Sequence, residues 1–146
     1  MKRLFILLAL VGSSFFMSSY ANETKMSPTV LQAFQATFEN AQDITWEQVG
    51  VLYKASFVLD GRHNAAFYNS NGELVAVTRN LASTQLPKQL QASLKKEMQG
   101  RWIAELFVVS IEDEDTYYVT LQNAEGAVML KSVSAKKWVV YQREAN

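Results

Sequence analysis

The chain has 146 residues, 49% of them hydrophobic and 19% charged, a balance that supports a folded domain and excludes disorder throughout. Lys and Arg number 14 and Asp and Glu 14, so no net charge draws the chain to nucleic acid or to an anionic membrane. Cysteine is absent, which excludes thiol catalysis, disulfides and thiolate metal sites.

The chain begins as an export signal would. Met1-Lys2-Arg3 is basic, Leu4 to Val11 is a continuous apolar run, and Gly12-Ser13-Ser14 breaks it. The run is short of the roughly 20 residues that span a bilayer. Ser19 and Ala21 place small residues at −3 and −1 of a cleavage site, so a signal peptide over 1–21 is predicted, cleaved after Ala21. The mature chain, 22–146, then holds 12 basic and 14 acidic side chains. No cysteine follows for a lipid anchor and no second apolar segment exists, so a soluble periplasmic or secreted protein is expected.

Ser27-Pro28 marks a helix start, Ser as cap and Pro at the first helical position. Val30, Phe34 and Phe38 recur at i, i+4, i+8 with Leu31 beside them, one apolar face that should end near Asn40. We read these phenylalanines as core. Ile44 to Gln48 alternates as a strand. In Leu52 to Leu59, Tyr53, Ala55, Phe57 and Leu59 share a face, opposite Lys54 and Ser56. Asp60-Gly61 is a tight-turn pair, Asn64 to Asn69 a third strand, and Asn71-Gly72 turns into a fourth, Glu73 to Thr78.

Leu86-Pro87 opens a second helix, where Leu90, Leu94 and Met98 repeat the first stripe 60 positions later. Lys95 and Lys96 sit toward its C-terminal end, where the helix dipole favours them, and Gly100 is a stop. Arg101 to Ile111 is extended but too apolar for one clear alternation. Glu112 to Asp115 forms a turn. Tyr117 to Leu121 aligns with Tyr53 to Phe57 at an offset of 64, and the same offset sets Ala135-Lys136 against Asn71-Gly72. Lys137 to Tyr141 is the last strand. The expected fold is α+β: two helix-plus-antiparallel-meander repeats, about 27–81 and 82–146, sharing one sheet with both helices packed on one face.

These residues carry a family likeness. Val30-x3-Phe34-x3-Phe38, Ile44-x-Trp46, Tyr53-x-Ala55-x-Phe57 and Tyr68-Asn69-x-Asn71-Gly72 resemble the bacterial PepSY-like proteins, and within them the beta-lactamase-inhibitor-like group. Leu86-Pro87-x2-Leu90-x3-Leu94 with Tyr117-x-Val119-x-Leu121 fits the same pattern, so the resemblance covers nearly all of 22–146. Glu39 stands where the family usually has Pro, and the second copy lacks the Asn-Gly turn. The resemblance implies an exported bacterial protein with helices on an antiparallel sheet. In relatives by fold the open sheet face binds another protein, in some cases an enzyme that it inhibits. It brings no catalytic residues.

Chemistry-bearing candidates are few. His63, the only histidine, lies beside Asp60-Gly61-Arg62 and reads as a solvated turn residue. The acidic run Glu112–Asp115 lacks the oxygen spacing, central Gly and distal Glu of the common calcium loop and reads as a hairpin tip. No catalytic residue, metal site or cofactor is assigned. The pairs Phe67-Tyr68 and Tyr117-Tyr118 are more informative, because adjacent strand residues point to opposite faces. One ring of each pair must face away from the helices. Tyr68 and Tyr118, with Trp46 and Trp138, are the candidate partner-binding residues, and another envelope protein or peptide is the expected partner. A face covered by the tail, by the other unit or by a second copy in a homodimer is the competing expectation. A sensor or carrier of a small ligand or cation is the alternative function.

Overall fold

The structure, a computed structural model, describes residues 26–145. The signal peptide and cleavage site expected within 1–21 lie outside them. Helix α1 runs Pro28–Thr37 and carries Pro at its start as expected, but the Ser27 hydroxyl makes no capping bond. Instead the Ser27 carbonyl accepts from the amides of Val30 and Leu31 at 3.0 and 3.2 Å. The pre-set φ of proline, not a side-chain cap, starts this helix. It ends three residues before the expected Asn40: Phe38 leaves helical space and rests its ring on Phe34 and Phe57, with centroids 5.3 and 4.7 Å away.

Four strands follow, β1 (Gln42–Val49), β2 (Leu52–Leu59), β3 (Arg62–Tyr68) and β4 (Leu74–Asn80). A single 3-10 turn, Ser83–Gln85, leads into α2 (Lys88–Met98). Gln99 and Gly100 then adopt left-handed φ of 41° and 79°, and Arg101 N bonds Met98 O at 2.7 Å, ending the helix. Strands β5 (Trp102–Ile111), β6 (Glu114–Asn123), β7 (Gly126–Val133) and β8 (Lys137–Ala145) complete the chain. The acidic run is split: Glu112 and Asp113 make the turn, with φ of 49° and 65°, while Glu114 and Asp115 belong to β6.

All eight strands form one open antiparallel sheet in sequence order. The two-residue turn at Asp60-Gly61, with both φ positive, sets Leu59 opposite Arg62 and hence Tyr53 opposite Tyr68. At the next turn the Asn69 side-chain oxygen accepts from the amides of Asn71 and Glu73, both at 3.0 Å. Gly72 there has φ 79°, and a Cβ on it would stand 3.0 Å from Thr29 of α1, so both conformation and space require glycine. Four facing pairs, Val77 with Ser110 through Asn80 with Phe107, join β4 to β5 across the intervening helix.

The register lets each face be followed across the sheet. Val30 and Phe34 of α1 pack on Ala55, Phe57, Ala66 and Tyr68. Leu90 and Leu94 of α2 pack on Leu106, Val119, Leu121, Leu130 and Trp138. Ala66 pairs with Val77, Val77 with Ser110, and Leu106 with Val119, which puts both sets on the same face. A third apolar cluster lies on the other face, holding Leu52, Phe67, Ala76, Phe107, Val109, Tyr118 and Met129. This explains the missing alternation in β5: Leu106 through Val109 are all buried because successive side chains enter apolar clusters on opposite sides.

Candidate functional site

The face without helices is the candidate site. Among the described residues no helix packs against its cluster. Its centre is aromatic. Phe107 and Tyr118 are cross-strand partners with stacked rings, centroids 5.3 Å apart and 9° between planes, and Tyr141 meets Tyr118 edge-on at 5.5 Å. A register shift between Met129 and Leu130 opposite β8 brings Tyr141 to this side. Burial, with Tyr141 beside it, pushes the Tyr118 hydroxyl up to about 12, and burial raises Tyr141 as well, so both rings stay neutral.

Toward β1 the face turns polar. Lys54 and Glu47 are cross-strand partners joined by a 2.6 Å ion pair. At the start of β5 it carries Trp102, 53% exposed. Trp102 pairs with Gln122 and Glu105 with Thr120, so both lie on the side of Tyr118. A bulge between Ile103 and Glu105 makes this possible, since uninterrupted alternation would set Trp102 and Glu105 on opposite faces. Burial holds the Glu105 carboxyl above its usual range, and the Thr120 hydroxyl is buried without a hydrogen bond.

The structure divides the four candidate residues. Tyr118 lies on the helix-free face. Tyr68 does not: it is 1% exposed under α1, with Phe34 and Trp46 around it at 6.4 and 6.3 Å. The ring of its pair that faces away is Phe67, because Tyr68 shares a face with Tyr53 while Phe67 sits opposite Lys54. The Tyr68 hydroxyl is raised by burial. Thr37 is close enough to ease that shift, but its own hydroxyl donates to the Ala33 carbonyl at 2.9 Å and Tyr68 Oη stays without a hydrogen bond of good geometry. Trp46 packs edge-on against Phe34 at 5.2 Å, also on the helix side. Trp138 is buried under α2, where its Nε1 donates to the Leu90 carbonyl at 3.2 Å. The expected four-residue patch is therefore corrected to Tyr118 alone. Phe67, Phe107, Tyr141, Trp102 and Glu105 stand with it.

His63 is exposed on β3, opposite Val58, at an open depression of about 480 Å³ shared with Arg62 and Asn80. Arg62 and His63 both border that depression at the strand end, although alternation starts their side chains on opposite faces of β3. Asp115 accepts a hydrogen bond from the Ser110 hydroxyl. Among the described residues no three His, Asp or Glu side chains gather as metal ligands, and no helix is long and apolar enough to cross a membrane.

Two helices on one side of an open eight-stranded meander is an arrangement shared with solved proteins. A BLIP-like protein of Bacteroides fragilis superposes with a TM-score of 0.72 at 20% identity, over 84% of this chain and 89% of that one. The fold is the BLIP-like, PepSY-like one. A protein provisionally assigned to the periplasm of Bacteroides eggerthii matches at TM-score 0.74 and 13% identity, over 84% and 90% of the two chains. A DUF2874 family protein of Bacteroides uniformis matches at 0.72 and 12%, over 82% and 89%. No family model and no curated protein matches the sequence. The BLIP-like likeness thus lives in backbone path and strand order, which tolerate nearly complete replacement of side chains.

Proposed function

We propose that this chain is an exported, non-catalytic binding protein that engages another envelope protein or peptide through the helix-free face of its sheet. On this reading 1–21 is a signal peptide cleaved after Ala21, and 22–146 is one domain built from two copies of a helix-plus-meander unit. The single observation that carries the reading is the face itself: an aromatic floor of Phe67, Phe107, Tyr118 and Tyr141 with the indole of Trp102 standing out beside it. An exposed aromatic next to a packed apolar floor is the usual anchor of a protein interface. The likeness to a BLIP-like protein and to one provisionally assigned to the periplasm supports a binding role in the envelope.

The test uses Trp102, because Tyr118 is only 7% exposed and its loss would disturb the fold. The exported chain is immobilised, envelope extract is passed over it, and any retained protein is then titrated in purified form. Trp102→Ala should weaken that complex by at least about tenfold, as expected for an aromatic anchor. Val51→Ala, at the exposed β1–β2 turn, should leave it unchanged. Equal affinity for wild type and Trp102→Ala, with both folded, sinks the reading.

A further inference from the structure

We propose that the Glu105–Thr120 pair, with Trp102 beside it, receives an arginine or lysine side chain from the segment that docks on the helix-free face. The inference rests on that face being the binding face and names the chemistry of what it binds. Glu105 and Thr120 are direct cross-strand partners, so their Cβ atoms stand roughly 5 Å apart on one side of the sheet. Thr120 is 5% exposed, and its hydroxyl has no partner. Glu105 is half-buried, and among the described residues no cation or donor meets its carboxylate. The buried Thr120 hydroxyl without a partner is costly in the free protein, and the half-buried Glu105 carboxylate beside it has lost part of its hydration with no protein donor in exchange. A single cationic donor satisfies both at once, since carboxylate and hydroxyl oxygens both accept.

The chain's own cations do not fill this role. Lys131 is the nearest on the face by register, opposite Tyr118, two strands from Glu105 and two residues along, or about 12 Å away. Trp102 supplies the remaining wall. Its partner Gln122 is two residues from Thr120, which sets the indole roughly 7 Å along the strands from the Glu105–Thr120 pair. A guanidinium held by Glu105 can therefore lie on the indole, so arginine should be preferred to lysine. The apolar residues around the pair, Phe107, Tyr118 and Met129, fit hydrophobic neighbours of that cation in an extended segment.

A random octapeptide display library selected on the purified exported chain tests this without knowledge of the natural partner. Selected peptides should be enriched in Arg, and less in Lys, flanked by apolar residues. Selection on Glu105→Gln should lose that enrichment. A recovered Arg peptide should bind Glu105→Gln at least about tenfold more weakly, because a charge-assisted contact is lost while shape is kept. Thr120→Val should weaken it less, and Val51→Ala not at all. Melting temperatures at neutral pH show whether each variant is folded, and a Glu105 whose role is structural would reveal itself by a lower melting temperature in Glu105→Gln. Enrichment of apolar peptides without a basic residue overturns the cation site and leaves the binding face standing. No enrichment over bare support overturns both. A wild-type dimer in sedimentation that separates in Glu105→Gln assigns the surface to a second copy of the chain and also overturns the proposal.

Discussion

Tyr68 shows how a buried side chain can be strong in one part and weak in another. Its ring fills the space between α1 and β3, while its hydroxyl sits in the same apolar surroundings without a hydrogen bond. Tyr68→Phe removes only the unsatisfied group and should be neutral or stabilising by up to about 1 kcal/mol. Tyr68→Ser removes the ring as well and should cost about 3–5 kcal/mol. Urea unfolding of the two variants separates the contributions. Glu105 makes the matching prediction for pH. Its folded carboxyl binds its proton more tightly than the ordinary value of 4.5, so the folded chain holds that proton where the unfolded chain has released it. Stability from this group is present below about 4.5 and is lost as pH rises through the folded value. Glu105→Gln should abolish that loss, so its melting temperature should gain on wild type between pH 4 and 7. A constant difference across that range would show that Glu105 is solvated. The side on which Tyr68 falls was within reach of the sequence: Asp60-Gly61 demands a two-residue turn, and that turn alone sets Tyr53 opposite Tyr68. Glu105 was not, because the bulge that brings it beside Trp102, and the β6 residues that bury it, leave no local pattern.

At the scale of elements, the helices are where local rules sufficed. Val30 and Phe34 in α1, and Leu90 and Leu94 in α2, are buried at the positions their spacing selects. Strand β7, Gly126–Val133, has four of its eight residues buried and offers little alternation to read. The β7–β8 turn is the element most open to improvement. Ser134 and Ala135 both hold left-handed φ, 52° and 50°, and Lys136 N closes the turn on Val133 O at 3.1 Å. This is where the Asn-Gly signal of the first meander has no counterpart. Left-handed backbone costs a non-glycine residue about 1–2 kcal/mol. Ala135 packs against the cluster under α2, but Ser134 is exposed. Ser134→Gly should raise stability by about 0.5–1 kcal/mol, the penalty removed less the extra entropy of glycine in the unfolded chain. A thermal melt that moves down instead would show that the Ser134 side chain supports the turn.

The whole molecule is tied together on the helix-free side of its sheet. The helix-free cluster takes Leu52, Phe67 and Ala76 from the first four strands and Phe107, Val109, Tyr118 and Met129 from the last four. With the β4–β5 pairing, this makes the two halves share one core, so neither should melt alone. Phe107→Ala should lower stability by about 3–5 kcal/mol and leave one calorimetric transition, with calorimetric and van't Hoff enthalpies equal. Two resolved transitions would show that the halves are independent. By itself the sequence determined what depends on neighbours a few residues apart: the apolar faces of two helices, the tight turns at Asp60-Gly61 and Asn71-Gly72, and an antiparallel sheet between them. The tertiary structure decided which aromatic faces which side, that the helix α2 falls between β4 and β5 along the chain without interrupting the sheet, and that Glu105 and Thr120 share a surface with Trp102. Those outcomes depend on register accumulated over eight strands and on bulges, and one residue of slip sends each side chain to the opposite face.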